Sequence, residues 1–202
     1  MTITITPRAP DIIRREHSAV AAVLRSILPT IEQAGEEPSE RFFDVLRAML
    51  FYIDEFPERR HHPKESNLLF PRLAAVAPEL MPVIERLEHD HLRGEAKVRE
   101  LQHLLLAWEL IGESRRADFV IAATDYVRFY LEHMRTEERE LLPAAERLLP
   151  ASAWAEIDRA FSQDGDPLAG APRDPAYDRL FTRIVLATPA PVGLGPALTA
   201  TP

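Results

Sequence analysis

The sequence predicts an all-α fold, an antiparallel up-down-up-down four-helix bundle with a short fifth helix and a C-terminal extension. Three observations carry this expectation. Apolar residues recur at spacings of three and four over long stretches, which is the helical period. Only 7 glycines occur in 202 residues. The linkers between the periodic stretches are short, which favours antiparallel neighbours.

The first helix is expected from about Asp11, a plausible N-cap after Pro10, to about Gln33, with Gly35 ending it. The second begins after Pro38 with Ser39 as cap and runs into RHHPKESNLLFP, residues 60–71, where Pro57 and Pro63 are expected to kink it. The third covers roughly Pro78 to Leu110 and stops at Gly112. The fourth starts near Ser114 and reaches Leu142, where Pro143 interrupts it. ASAWAEIDRAFSQ, after Pro150, reads as a fifth amphipathic helix, followed by a Gly-, Pro- and Asp-rich loop. YDRLFTRIVLA is one more candidate short helix, and TPAPVGLGPALTATP an irregular tail. The expected division is a bundle over 1–163 and an extension over 164–202 that packs on the bundle or a partner through Leu180, Phe181, Ile184 and Val185.

Composition removes several classes of function. An apolar content of 46% with 28% charged residues is that of a globular protein with a real core. No apolar run approaches the ~18–20 residues that cross a bilayer. MTITITPRAPD lacks a basic region followed by an apolar core, so cytoplasmic residence is expected. A net charge of −8 argues against a nucleic-acid surface. The absence of cysteine excludes disulfides, thiolate zinc sites and iron–sulfur clusters, so any metal must be held by His, Asp and Glu.

The seven histidines sort by helix face. His17 shares a stripe with Ile13, Val20, Leu24 and Ile31, and His91 with Ile84, Leu87 and Val98. His133 lies on the line of Tyr126, Tyr130 and Leu141. In the second helix the line Leu46, Leu50, Ile53, Pro57 extends to His61, whereas His62 continues through Phe51, Glu55 and Glu58. Each long helix therefore contributes one inward histidine, and His62, His89 and His103 are expected to face out. Three inward histidines carry a glutamate one turn on: His61 with Glu65, His91 with Glu95, His133 with Glu137. Carboxylates buried without partners cost several kcal/mol each, and metal coordination satisfies them. Seven ligands exceed the needs of one tetrahedral zinc and suit two metals sharing bridging carboxylates. Imidazole with carboxylate and no sulfur fits iron best, with manganese or zinc as alternatives. Glu138 stands five residues after His133 as the alternative to Glu137. Glu32, Glu36, Glu37, Glu40 and Glu146 read as solvated faces.

REH in the first helix, HHPKESNLLFP in the second, HLRGE in the third and HMRTEERELLP in the fourth together resemble the hemerythrin-like, or HHE cation-binding, family over about residues 11–163. The resemblance implies the ligand set His17, His61, Glu65, His91, Glu95, His133 and Glu137. The family's oxygen carriers have a second histidine where this chain has Glu95, and their acidic ligand in the last helix corresponds to Glu138. A non-haem di-iron centre with an oxo or hydroxo bridge is implied, taking dioxygen, peroxide or nitric oxide as a sensor, carrier or scavenger. A peroxide-consuming enzyme and an iron-storage or regulatory module are the alternatives. Tyr130 and Tyr126, one and two turns before His133, are expected beside the ligands. The expected partners are a diatomic or peroxide ligand, without nucleic acid or membrane, in a monomer or homodimer.

Overall fold

A computed structural model describes residues 8–35, 37–172 and 175–184. Among them the regular structure is helical and no strand forms. The helices are α1 (Ala9–Glu32), α2 (Glu40–Ile53), α3 (His62–Lys64), α4 (Phe70–Val76), α5 (Met81–Ile111), α6 (Arg116–Thr136), α7 (Leu142–Leu148), α8 (Ala151–Ser162) and α9 (Asp178–Thr182). No helix among the described residues is long and apolar enough to cross a membrane. The Ser39 hydroxyl caps α2 by accepting from the Phe42 amide, which satisfies one of the donors a helix start leaves bare. Gly112, at φ 101°, ends α5 in a conformation that costs a side chain dearly.

The second rod is not a simple α-helix. Helical bonding runs unbroken from Glu40 to Val76, but Asp54–His61 and Glu65–Leu69 are π-helical. The fourth rod does the same at Glu137–Leu141, between α6 and α7. Pro143 therefore does not end that helix, which continues to Leu148. Proline lacks an N–H and its ring crowds the carbonyl four residues back. Pro63, Pro71 and Pro143 each stand two residues past the end of a π-helical stretch, where i→i+5 bonding has widened the preceding turn.

Packing closes a ring: α1 lies against α2 and α6, and α5 against α6 and α2. The core falls into two apolar clusters. One contains Val20, Leu24, Phe56, Val98, Trp108, Tyr126 and Met134. The other contains Ile13, Leu69, Phe70, Leu87, Leu141, Trp154 and Phe161. Burying each large side chain of this kind is worth about 1.5–3 kcal/mol, and the two clusters together offset a costly polar layer between them. On each rod the candidate ligands fall between residues of one cluster and residues of the other. Along the chain, α1 passes from the Ile13 cluster to the Val20 cluster, the second rod from Phe56 to Leu69, α5 from Leu87 to Val98, and the fourth rod from Tyr126 to Leu141. Leu180 packs against the first cluster and Phe181 and Ile184 are buried in it; Val185 and the 188–202 tail lie outside the described residues.

Candidate metal centre

Five histidines and two glutamates converge in the polar layer. Three groups lie close enough to share an ion: His17, His61 and Glu65; His62, His91 and His133; and Glu65, His91 and Glu137. All seven residues are buried, with Glu65 at 0% exposure and Glu137 at 1%.

The two carboxylates link the groups. Glu65 Oε1 lies 3.2 Å from His61 Nε2, and Oε2 lies 3.6 Å from His91 Nε2. Glu137 Oε2 lies 3.3 Å from His17 Nε2, while Oε1 is 3.3 Å from His133 Nε2 and 3.6 Å from His91 Nε2. Each carboxylate thus turns one oxygen to the His17–His61 side and the other to the His91 side. His17 Nε2 and His61 Nε2 face each other at 3.2 Å.

Outer partners hold the rings in this orientation. His61 Nδ1 is 2.7 Å from Glu16 Oε2, and His17 Nδ1 is 3.1 Å from Glu138 Oε1. An ionised carboxylate only accepts, so the Nδ1 facing it carries the proton and Nε2 keeps its lone pair for the cluster. His91 Nδ1 meets Ser66 Oγ at 3.0 Å, and that hydroxyl donates onward to Glu88. His62 Nδ1 lies 3.0 Å from Glu58 Oε2. Its ring stacks on His91 with centroids 3.9 Å apart, and Tyr130 places its hydroxyl 2.9 Å from His62 Nε2. Tyr126 donates to Glu58 Oε1 at 3.3 Å.

Electrostatics follow from burial. Burial and the neighbouring His91 and His133 push the His62 pKa well down, which keeps that imidazole in the neutral form a metal requires. Burial opposes ionisation of Glu137, but the adjacent His133 overrides it and holds the carboxyl well below its usual range. Glu58 is pushed up to about 8 by burial, against the pull of the Tyr126 hydroxyl.

The residues fit a bound cation. Both oxygens of Glu65, both of Glu137, His91 Nε2 and His133 Nε2 are buried without a hydrogen-bond partner. Orphaned buried acceptors are costly and rare, and here they converge on one another with nitrogens as neighbours. The donor set is imidazole and carboxylate, the chemistry of a borderline-hard divalent metal.

The expected residues divide as follows. His17, His61, Glu65, His91, His133 and Glu137 meet in the cluster. Glu95 does not: its side chain is 42% exposed and pairs with Arg99. The buried line of α5 runs Ile84, Leu87, His91, Gly94, Val98, so the inward position one turn after His91 belongs to Gly94 and Glu95 falls on the flank. His62 is the opposite correction, inward at 5% exposure where an outward ring was expected. A π-helical turn holds one more residue than an α turn, so each insertion rotates everything downstream by about 100°. Asp54–His61 immediately precedes His62, and extrapolating an α-helix through it puts Glu58 and His62 on the wrong face. Glu138 lies behind His17 rather than in the cluster, and Tyr126 and Tyr130 are buried beside it. His89 and His103 are exposed, as are Glu32, Glu37, Glu40 and Glu146; Glu36 lies outside the described residues.

Gly94 was the overlooked signal. Glycine inside a helix costs about 1 kcal/mol relative to alanine, and here a Cβ would come within 2.9 Å of Glu58 Oε1. Its absence makes room for the carboxyl that orients His62. Glu16, next to His17 in REH, was the other residue the spacing rules passed over.

No curated protein matches the chain at a significant level. A family model, the hemerythrin HHE cation binding domain, matches residues 8–145, the stretch that supplies all seven converging side chains. The chain belongs to the hemerythrin HHE cation-binding family.

Proposed function

We propose that the cluster holds two iron ions, one on the His17–His61 side and one on the His62–His91–His133 side, bridged by Glu65 and Glu137. The observation that carries this reading is the splitting of both carboxylates, with four bare buried oxygens shared between two imidazole groups. Seven side chains exceed what one tetrahedral ion uses, and bound metal would displace any proton from the imidazole nitrogens it takes while the two carboxylates offset part of its charge. The alternation with which the four rods pass the two apolar clusters supports an up-down-up-down arrangement around this layer. Anaerobic reconstitution with ferrous iron tests the proposal: two metals per folded chain are expected, and one or fewer refutes it.

The bound pair would supply one-electron chemistry toward dioxygen, peroxide or nitric oxide. The chain's own residues supply the surroundings. A cavity of about 20 Å³ borders His17, His61, His62 and Tyr130, room for one water-sized molecule. With His62 Nε2 given to a cation, Tyr130 would lose its hydrogen bond there and its phenol would face the cavity as a donor. Behind the ring, Glu58 Oε2 lies 3.0 Å from His62 Nδ1 and orients it. A binding role as sensor, carrier or scavenger follows most directly. The buried Tyr130 phenol beside the cavity favours a second reading, a peroxide-consuming enzyme. Optical spectra of the reduced protein exposed to air separate a stable adduct from rapid oxidation, and oxygen evolution on adding peroxide selects the enzyme. We place the protein in the cytoplasm, as a monomer or homodimer without nucleic acid or membrane.

A further inference from the structure

The family match ends at residue 145, yet the chain beyond it reaches the metal layer. After α8 the backbone turns back over α1 and the second rod. Lys64 Nζ donates to the Gln163 carbonyl at 2.9 Å. The Asp166 amide donates to Glu16 Oε1 at 3.2 Å, while the other oxygen of Glu16 holds His61 Nδ1 at 2.7 Å. Glu16 therefore divides its carboxylate between the extension and a candidate ligand. Asp166 is itself held: its carboxylate accepts from the buried Tyr52 hydroxyl and from the Leu168 amide. The fit at this turn is close, since a Cβ on Gly165 would lie 3.0 Å from Ala171 Cβ and 3.6 Å from Glu16 Oε1. Further on, Tyr177 bonds Glu55 and Arg60, and Phe181 sits against the rings of Tyr52 and Phe56.

The same turn lines the cavity beside the cluster. His17, His61, His62 and Tyr130 form its inner side, and Asp164 and Asp166 belong to its outer side. Its volume, about 20 Å³, leaves room for a water-sized molecule.

We propose that residues 163–172 and 175–184 form a strap belonging to the site: through the Asp166 amide they fix Glu16, a positioning residue for His61, and through the 164–166 turn they cover the cavity. Solutes larger than one or two heavy atoms then reach the His17–His61 side through this cavity only when the strap lifts. The proposal rests on the metal reading above for its access half and on the apoprotein geometry for its positioning half.

Two variants test it. Tyr52→Phe keeps the ring and deletes the hydrogen bond to Asp166; Phe181→Ala loosens the far end. In protein reconstituted with ferrous iron, both are expected to release metal to a bulky chelator about ten-fold faster or more, with faster backbone hydrogen exchange over 163–172. Release at the wild-type rate in both variants overturns the strap, as does faster release without faster exchange. In the apoprotein, the ¹⁵N resonances of the His61 ring are expected to shift in Tyr52→Phe in the same direction as in Glu16→Gln. An unmoved His61 signal in Tyr52→Phe refutes the positioning half. Wild-type protein that holds no metal refutes the site instead, and the His61 measurement still decides the strap.

Discussion

Replacing Asp166 by asparagine should change how stability depends on pH, with a sign and size that the structure sets. Burial pushes the Asp166 carboxyl up to about 6 from 3.8, and the hydrogen bond from Tyr52 opposes that push without cancelling it. The residue is 4% exposed, so solvent screening does little to dilute the effect. A carboxyl whose folded pKa is raised binds more protons folded than unfolded between those two values. Its contribution is fully present below about pH 4 and is lost as pH rises through about 6. At about 1.4 kcal/mol per pH unit the loss amounts to ~3 kcal/mol. Asparagine keeps an acceptor for Tyr52 and has no proton to lose. Urea unfolding followed by circular dichroism, at matched metal loading from pH 4 to 8, gives the difference between variant and wild type. That difference is expected to move in favour of Asp166→Asn by ~3 kcal/mol between about pH 4 and 6.5 and then to level off. A difference independent of pH would show that the carboxyl is not perturbed. A difference moving the other way would show that the Tyr52 hydrogen bond outweighs burial.

Other outcomes follow from the cluster and the core. His62→Ala should reduce the metal bound per chain while Glu95→Ala leaves it unchanged, both read by elemental analysis; the reverse pattern would restore Glu95 to the site. Glu65→Ala or Glu137→Ala should each abolish binding of the proposed metal pair, since each would remove a carboxylate shared between the two imidazole groups; two metals retained in either variant would refute the proposed bridging. Gly94→Ala gains about 1 kcal/mol of helix propensity but drives a methyl into Glu58. Competition with a chelator should show metal affinity weakened by about 10–100-fold, the usual cost of losing an outer partner of a ligand. Trp108→Ala, which empties an aromatic cluster with Phe42, Phe43 and Phe119 far from the ligands, should cost about 3–5 kcal/mol in thermal unfolding without altering metal content.

The parts of this molecule that were legible in the sequence are those where the helical period runs undisturbed. α1, α5 and α6 are ordinary helices up to their histidines, so the stripes through His17, His91 and His133 point where 3.6 residues per turn says they should. Glu65 and Glu137 share the face of the histidine four residues earlier, which a single turn carries correctly. Illegibility began where the period changes. Nothing in DEFPERRH announces i→i+5 bonding to a rule that counts in turns of one size, so that rule turns His62 outward. Glu95 failed for a subtler reason: spacings of three and four are both allowed, and only the close approach of Glu58 to Gly94 decides between them. The reach of the extension back to Glu16 spans 150 residues and no local pattern could have disclosed it.

The two apolar clusters with a charged layer between them have a bearing on what happens when the metal leaves. Each end of the molecule keeps its own oily grip on all four rods, so emptying the middle need not let the ends go. The free-energy cost then concentrates at the waist, where seven polar side chains are left crowded together and seeking water. Protection against hydrogen exchange should survive near Trp108 and near Trp154 and fade between them around His61 and Glu137. Such a molecule loosens at its belt while its two caps stay shut, and it can be emptied and refilled without ever coming apart.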